Sequence, residues 1–302
     1  MRTLALKIDV DTYRGTREGV PRLIEILQRH GARATFLFSL GPDHTGRAIK
    51  RALRPGFMSK VSRTSVVSHY GVRTLLYGTV LPGPDIGLKC GDILRGVRDA
   101  GHEVGIHTWD HVKWQDGVEH ADNPWVEAAL ERASSRFAEV FGVKAHVHGA
   151  AGWQMNRHAF RMTQRLGFAY CSDTRGTHPF MPVVDGELID CPQLPTTLPT
   201  LDELIGVDGL TAQNVAAHVL DITAQAPRGP HVYTLHAELE GMQLADVFDA
   251  LLSGWRDQGY TLQPMQDIMS PLSREALPRH RLDRGSVAGR AGTLMTQGAS
   301  FP

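Results

Sequence analysis

The sequence predicts an α/β fold in which parallel strands and helices alternate around a distorted, incompletely closed (β/α) barrel. Short hydrophobic runs alternate with amphipathic stretches about seven times along the chain, as strand–helix units require. The 302 residues, 42% of them hydrophobic, can bury one large core, and α/β barrels of this size commonly form a single domain. Acidic and histidine residues follow several predicted strands, and a barrel would bring those strand ends together.

Each predicted element rests on its hydrophobic pattern. Apolar runs rich in β-branched and aromatic residues predict strands at residues 3–8, 34–38, 103–106, 168–172, 231–235 and 260–263. Amphipathic periodicity predicts helices at residues 19–31, 92–100, 125–141, 156–166, 212–224 and 244–258. Gly31 ends the first helix, and Asn123 with Pro124 caps the third.

Two segments depart from this alternation. Residues 44–84 form a basic amphipathic insertion, where about ten loop residues would suffice to connect the barrel elements. Beyond residue 270 the apolar periodicity stops, and residues 271–302, rich in Arg, Gly and Ser, are expected to be a flexible tail. The expected organisation is one domain over residues 1–270, with the insertion within it, followed by the tail.

Composition excludes several classes of protein. The 32 basic and 32 acidic residues give no net charge, so no nucleic-acid partner is expected. The three cysteines, Cys90, Cys171 and Cys191, are odd in number and lack C-x-x-C spacing, which fits a reducing compartment. The first strand begins too early to leave room for a signal peptide, and no apolar run reaches the length of a membrane span. A cytoplasmic location is therefore expected.

Four residues at strand ends predict a metal site. Asp9 and Asp11 lie two apart on an extended chain, so their side chains point the same way. His107 and His111 lie four apart and share one face of a turn or helix. One Asp with two His leaves coordination positions open, as in catalytic metal sites, and the second Asp remains as a base. The pattern predicts metal-assisted hydrolysis.

These residues and their surroundings resemble the polysaccharide deacetylase family (NodB homology, carbohydrate esterase family 4). The resemblance covers about residues 2–270 and rests on the strings at residues 7–20, 107–111, 151–153 and 233–238. Within the family, these strings are most similar to those of deformylases that act on a lipid-linked amino sugar. The resemblance implies a NodB-type barrel, a catalytic domain over residues 1–270, and one divalent metal ion.

The implied reaction is removal of the N-formyl group from 4-deoxy-4-formamido-L-arabinose carried on undecaprenyl phosphate, a step in lipid A modification and polymyxin resistance. Residue by residue, the resemblance implies that Asp9 is the general base, that Asp11, His107 and His111 bind the metal, and that His236 is the general acid. Zn²⁺, Mn²⁺ and Co²⁺ all suit such ligands. Because Val10 separates two acids that are adjacent in the usual family, the roles of Asp9 and Asp11 could be exchanged.

The chain also departs from the family where an Arg-containing motif normally follows the fourth strand. Residues 149–153, Gly-Ala-Ala-Gly-Trp, stand there instead, so another Arg must orient the base. Arg175, two residues after Asp173, is the candidate, and a surface ion pair between these two is the alternative.

Three further residues complete the expected site. Glu238 is expected to share a face with His236 and keep it charged. Tyr13 and Trp153, which lie in the matching strings, are expected to contact the substrate.

The insertion predicts contact with a membrane. The 41 residues between Asp43 and Asp85 contain no acid, although about four are expected, and seven of them are basic. Basic residues among helically spaced apolar ones suit the interface of an anionic bilayer, with Arg47, Lys50, Arg51 and Arg54 as its contacts. A solvated loop or RNA binding are the alternatives. The prediction is peripheral attachment to the cytoplasmic face of the inner membrane.

Two other functions fit parts of the pattern. A peptidoglycan or chitin N-deacetylase would use the same site, but its substrate lies outside the cytoplasm. A lipid-binding protein without catalysis would not need intact acids and histidines at five strand-end positions. Deformylation of a lipid-linked sugar is therefore the leading hypothesis.

Overall fold

The computed structural model describes residues 2–48, 71–227 and 229–302. Its strands are β1 (Arg2–Val10), β2 (Thr35–Ser39), β3 (Glu103–Thr108), β4 (Val147–His148), β5 (Tyr170–Cys171), β6 (Met181–Val184), β7 (Glu187–Leu188), β8 (Pro230–His236), β9 (Tyr260–Gln263), β10 (Arg279–Gly285) and β11 (Leu294–Ser300). One parallel sheet has the order β5-β4-β3-β2-β1-β8, and β9 also pairs with β1. This sheet curls into an open half-barrel, which confirms the predicted incompletely closed barrel.

Strand β1 pairs with three other strands, contains Asp9 and ends just before Asp11. Along one edge it pairs with β8, in a register that sets Asp9 beside His236. Along the other edge its first half pairs with β9 and its second half with β2. Both edges of β1 are therefore hydrogen-bonded, as is typical of a buried parallel strand.

The two faces of β1 enter different hydrophobic clusters. Leu4, Leu6 and Ile8 belong to the large cluster beneath the helices. Ala5 belongs to a smaller cluster with residues of β2, β4 and β8. Because side chains alternate along a strand, Lys7 and Asp9 point the same way as Ala5, into the interior of the half-barrel.

The helices are α1 (Val20–Arg29), α2 (Val72–Leu76), α3 (Ile86–Lys89), α4 (Gly91–Asp99), α5 (His111–Gly117), α6 (Asn123–Phe141), α7 (Arg157–Leu166), α8 (Leu201–Leu204), α9 (Val215–Gln225), α10 (Ala245–Asp257) and α11 (Met265–Met269). π-helical turns at Gly15–Gly19 and Leu239–Gln243 precede α1 and α10. The cap of α6 is Asp122, whose side chain accepts from the Trp125 amide at 3.0 Å, and not Asn123 with Pro124 as expected. No helix in the ranges above combines the length and the apolar character needed to cross a bilayer.

The segment after residue 270 is not the structureless tail that was expected. Strand β10 pairs in parallel with β6 and antiparallel with β11, so residues 279–300 build most of a second, four-stranded sheet. Backbone hydrogen bonds hold this sheet, and most of its side chains are partly or fully exposed, so its sequence lacks a hydrophobic period. Leu294 and Met295 are buried and fasten β11 to the barrel.

Part of the insertion lies outside the described residues, including Lys50, Arg51 and Arg54. The two ends of the insertion lie within the described residues and are hydrogen-bonded to each other. The amide of Gly46 donates to the carbonyl of Tyr77 at 3.0 Å, and Nε of Arg47 donates to the carbonyl of Gly78 at 2.8 Å. Arg47 is thus a structural contact at the base of the insertion.

Candidate metal and catalytic site

Asp11, His107 and His111 come together at the carboxyl ends of β1 and β3. One Asp11 oxygen, Oδ1, lies 3.2 Å from His107 Nε2, and the other, Oδ2, lies 3.3 Å from His111 Nε2. One ligand atom from each of the three residues lies within 4.8 Å of the others. A single ion can therefore be reached by all three side chains, as their spacing in the sequence suggested.

Neighbouring groups fix both imidazoles. His107 Nδ1 lies 2.7 Å from the Gly149 carbonyl, which can only accept, so Nδ1 carries a proton and Nε2, which faces Asp11, is the atom left to bind a metal. His111 is the first residue of α5, whose cap is Asp110 accepting from the Lys113 amide at 3.1 Å. Asp110 in turn contacts His44 Nδ1 at 2.6 Å, which ties the start of the insertion to this site.

The electrostatics of Asp11 suit a metal ligand. Burial alone would raise its pKa, but His111, His107 and His236 together hold the pKa of Asp11 well below its ordinary value. Asp11 Oδ1 is buried and accepts no hydrogen bond within the described structure. An ionised carboxylate with a free buried oxygen beside two Nε2 atoms is a donor set that fits a divalent cation of mixed oxygen and nitrogen preference.

Asp9 is held by a cation on its own strand. Lys7 Nζ donates to Asp9 Oδ2 at 3.0 Å, and both side chains are almost wholly buried. The other oxygen, Asp9 Oδ1, is buried without a hydrogen-bond partner in the described residues. One oxygen of Asp9 is thus fixed while the other remains able to accept a proton, which is the arrangement a general base needs.

His236 stands beside Asp9 at the end of β8 and is partly exposed. Its backbone amide donates to Glu240 Oε2 at 2.9 Å, and the hydroxyl of Tyr233 donates to Glu240 Oε1 at 3.2 Å. Glu240 is fully buried, and that burial raises its pKa to about 7 even though the charge of His236 acts in the opposite direction. Glu240 therefore positions the residue expected to be the general acid.

Glu238 supports Asp11, and the expected pairing with His236 is not present. Its Oε1 accepts from the amides of Asp11 and Thr12 at 3.1 and 2.8 Å, and from the Thr12 hydroxyl at 2.8 Å. Burial and the charge of Asp11 raise the pKa of Glu238 well above its ordinary value. Glu238 therefore fixes the turn that carries Asp11.

Asp173 and Arg175 do not form the surface ion pair considered from the sequence. Asp173 is fully buried and accepts from the amide of Ala150 at 2.9 Å and from His148 Nδ1 at 2.8 Å. Arg175 donates to a carboxylate oxygen of Glu203 and to the Leu198 carbonyl. The cation on Asp9 is Lys7, so the expectation that Arg175 orients the base is wrong.

Trp153 lies beside Lys7, and three cations surround its ring. The centroid lies 4.4 Å from the Arg290 guanidinium carbon, 5.0 Å from Lys7 Nζ and 5.2 Å from the Arg175 guanidinium carbon. The ring is almost fully buried, and Nε1 donates to the Thr196 hydroxyl at 3.2 Å. Trp153 therefore packs inside the wall of the site, and its expected contact with the substrate stays a prediction.

Tyr13 follows Asp11 on the rim of the site and is half-buried. Its amide donates to Asp43 Oδ2 at 2.9 Å, and Arg17 lies over its ring. The ring is partly exposed, and contact with a substrate stays a prediction.

Comparison with known proteins places these residues in a family. The model of the family described as polysaccharide deacetylase matches residues 2–171, more than half of the chain, including both acids and both metal-site histidines. The chain belongs to this family. His236, Glu240 and Arg290 lie beyond the matched residues.

Two curated relatives share nearly the whole length. One, from Shewanella sediminis (strain HAW-EB3), is named probable 4-deoxy-4-formamido-L-arabinose-phosphoundecaprenol deformylase ArnD; it is 40% identical over 97% of this chain and 94% of its own. A protein of the same name from Wigglesworthia glossinidia brevipalpis is 29% identical over 94% of this chain and 98% of its own.

Solved structures agree on the fold. A putative polysaccharide deacetylase from Mycobacterium smegmatis superposes with a TM-score of 0.63 at 18% identity, covering 95% of this chain and 96% of that one. A family 4 acetyl xylan esterase from Clostridium thermocellum, solved in complex with a cobalt ion, gives 0.51 at 11% identity, covering 89% and 91%. The NodB-type barrel expected from the sequence is thereby confirmed.

Sequence reasoning missed Lys7, Glu240 and Arg290. The position of Lys7 could have been predicted from the sequence, because a lysine two residues before Asp9 on a buried strand must point to the same side as Asp9. Glu240 had a weaker signal, since it follows His236 by four residues in the connection between a predicted strand and a predicted helix. Arg290 had none, because its segment shows no periodicity that would place it at the site.

Proposed function

We propose that this protein is a metal-dependent deformylase that removes the N-formyl group from 4-deoxy-4-formamido-L-arabinose carried on undecaprenyl phosphate. The supporting observation is 40% identity, over 97% of the chain, to a relative bearing that name. The site geometry agrees with this function, because a buried carboxylate, three side chains that can bind one metal ion and an imidazole lie together at one end of the barrel. The product amine would serve lipid A modification and resistance to polymyxin.

Asp11, His107 and His111 would hold the metal, which when bound supplies a Lewis acid that polarises the formyl oxygen and makes water more acidic. Asp9 Oδ1, which accepts no hydrogen bond from the residues that the structure describes, would take the proton of the attacking water. Lys7 donates to the opposite oxygen and so fixes the orientation of the Asp9 carboxylate.

Departure of the amine requires a proton, because an amide nitrogen leaves poorly as an anion. His236, the register neighbour of Asp9, would donate it. Attack of water on the formyl carbon would give a tetrahedral intermediate with a negatively charged oxygen. Backbone amides after β1 are not available to stabilise that oxygen, because those of Asp11, Thr12 and Tyr13 already donate to Glu238 and Asp43.

The metal is proposed to be Zn²⁺, Mn²⁺ or Co²⁺. One carboxylate with two imidazoles suits each of these ions, whereas Mg²⁺ and Ca²⁺ favour all-oxygen sites. Cobalt bound to the structurally similar acetyl xylan esterase is compatible with this range.

The substrate and the insertion together suggest where the protein acts. A polyprenyl phosphate is anchored in a membrane, and the acid-free, seven-base insertion would bind an anionic surface. We therefore propose peripheral attachment to the cytoplasmic face of the inner membrane, with no nucleic-acid partner.

Removal of an acetyl group from a polysaccharide is the second candidate, because the matched family model carries that description. Purified metal-loaded protein would be incubated with the formamido-arabinose lipid and, separately, with its N-acetyl analogue and with chitin oligomers. Deformylation predicts release of formate from the first substrate only, and the Asp9→Asn variant should release none above background. Acetate from chitin oligomers without formate from the lipid would contradict the proposal and favour the second candidate.

A further inference from the structure

The carboxy-terminal segment, residues 279–300, is hydrogen-bonded to the turn that carries Trp153. Arg284 donates to Gln154 Oε1 at 3.0 Å and to the carbonyl of Met155 at 2.7 Å. Gln154 Nε2 donates in return to the carbonyl of Thr293 at 2.6 Å. The turn is thus hydrogen-bonded to β10 and to Thr293, the residue before β11, although it lies more than a hundred residues earlier in the chain.

Arg290, between these two strands, reaches the Trp153 ring itself. Its Nε donates to Glu203 Oε1 at 2.7 Å, and its side chain is only 13% exposed. The preceding Gly289 has φ +80° and leaves no room for a Cβ against the Glu203 backbone. The guanidinium is therefore held at a fixed place on the ring, with Glu203 balancing its charge.

Trp153 needs such restraint. It has φ +53°, a left-handed backbone conformation that residues other than glycine rarely adopt, and it follows Gly152, whose φ is +61°. Residues in that region persist where their surroundings over-determine them, and such residues cluster at functional sites.

Trp153 in turn packs on the cation that holds the base. Lys7 Nζ has Asp9 Oδ2 at 3.0 Å on one side and the Trp153 ring, with its centroid at 5.0 Å, on another. A buried ammonium is stabilised by an aromatic face, so the position of the ring sets that of Nζ.

We propose that the carboxy-terminal segment is part of the catalytic unit, and that Arg290 is a positioning residue that fixes Trp153 and, through Trp153, the Lys7–Asp9 pair. The inference rests on the proposed deformylase function for the role of Asp9. It also adds to the site a segment outside residues 2–171, the range matched by the family model.

The test uses the full-length chain with Arg290→Met, and Arg281→Met as the matched control on the exposed side of β10. Arg290→Met should lower kcat about tenfold with KM and metal content nearly unchanged, because substrate and metal contacts are preserved. In a Lys7→Met background the same change should have no further effect on kcat, since the contact through which Arg290 acts is already gone.

A second readout does not depend on activity. Acrylamide quenching of Trp153, obtained by difference from Trp153→Phe in each background, should increase in Arg290→Met and stay at the wild-type level in Arg281→Met. The proposal is overturned if Arg290→Met retains kcat within twofold, if its loss of kcat is the same with and without Lys7, or if Trp153 quenching does not change. Wild-type protein that releases no formate would refute the proposed function. Acrylamide quenching of Trp153 would still show whether Arg290 fixes the position of the ring.

Discussion

Lys7 and Asp9 form an ion pair inside the half-barrel, 3.0 Å between Nζ and Oδ2, on consecutive inward positions of one strand. Gly149 makes this possible, because a Cβ at that position would lie 3.1 Å from Lys7 Cε and closer still to Leu37. In this chain the cation on Asp9 therefore comes from the same strand, and Gly149 leaves the space that the Lys7 side chain occupies.

Lys7→Met should therefore impair catalysis more than it impairs metal binding. Methionine fills a similar volume, but Asp9 loses the ammonium group that fixes the orientation of its carboxylate. We expect kcat to fall about 10²-fold, as for partial loss of a general base, and stability to fall by about 3–5 kcal/mol from the unpaired buried carboxylate. Formate-release kinetics and urea denaturation measure the two effects, with the exposed Lys89→Met as control. Wild-type kcat in Lys7→Met would show that the pair is only structural.

Asp9→Asn and His236→Ala test whether these two residues transfer protons and do not bind the metal. If Asp9 is the base and His236 the acid, both variants should keep one metal ion per chain while kcat falls 10²–10⁴-fold, the usual contribution of such groups. Metal analysis and steady-state kinetics on the same samples decide the matter. Loss of metal in Asp9→Asn, with metal retained in Asp11→Asn, would mean that the two aspartates have exchanged roles.

The sequence predicted the site ligands better than their supports, for a physical reason. Asp11 and His107 follow hydrophobic runs, and parallel strands necessarily bring such ends together. Glu238 and Arg175 were assigned to the wrong partners, because which neighbour a side chain reaches depends on turn geometry that residue spacing does not specify. The strands β10 and β11 escaped prediction because backbone pairing with β6, and not a buried face, holds them.

Replacing His107 or His111 by alanine should remove the metal and activity together. Each supplies one of three ligands, and two ligands do not hold a divalent ion firmly in water. Elemental analysis after gel filtration should give about one ion per wild-type chain and well below half of that in either variant. The exposed His120→Ala serves as control and should keep its metal. Full occupancy in both variants would rule out the assigned site.

Glu240 should make stability fall as pH rises through a defined window. Burial raises its pKa from 4.5 to about 7, so between these values the folded protein keeps a proton that the unfolded chain has released. The free energy of unfolding of the wild type should therefore decline by about 3 kcal/mol across this window relative to Glu240→Gln, which cannot titrate. Urea denaturation from pH 4.5 to 8 measures the difference, with exposed Glu131→Gln as control. Parallel pH curves for wild type and Glu240→Gln would contradict the prediction.

Membrane attachment should depend on the charge of the insertion. Arg47 is left unchanged because its Nε bonds to the Gly78 carbonyl at the base of the insertion, so Lys50, Arg51 and Arg54 are replaced together by Glu. Each base near an anionic surface contributes about 1 kcal/mol at low salt, and reversing three of them should release the protein from anionic vesicles. Sedimentation with anionic and neutral liposomes over a salt series measures this, while formate release from a short-chain soluble substrate should stay at the wild-type rate. Equal sedimentation of the triple variant and the wild type would show that the insertion does not attach the protein to the membrane.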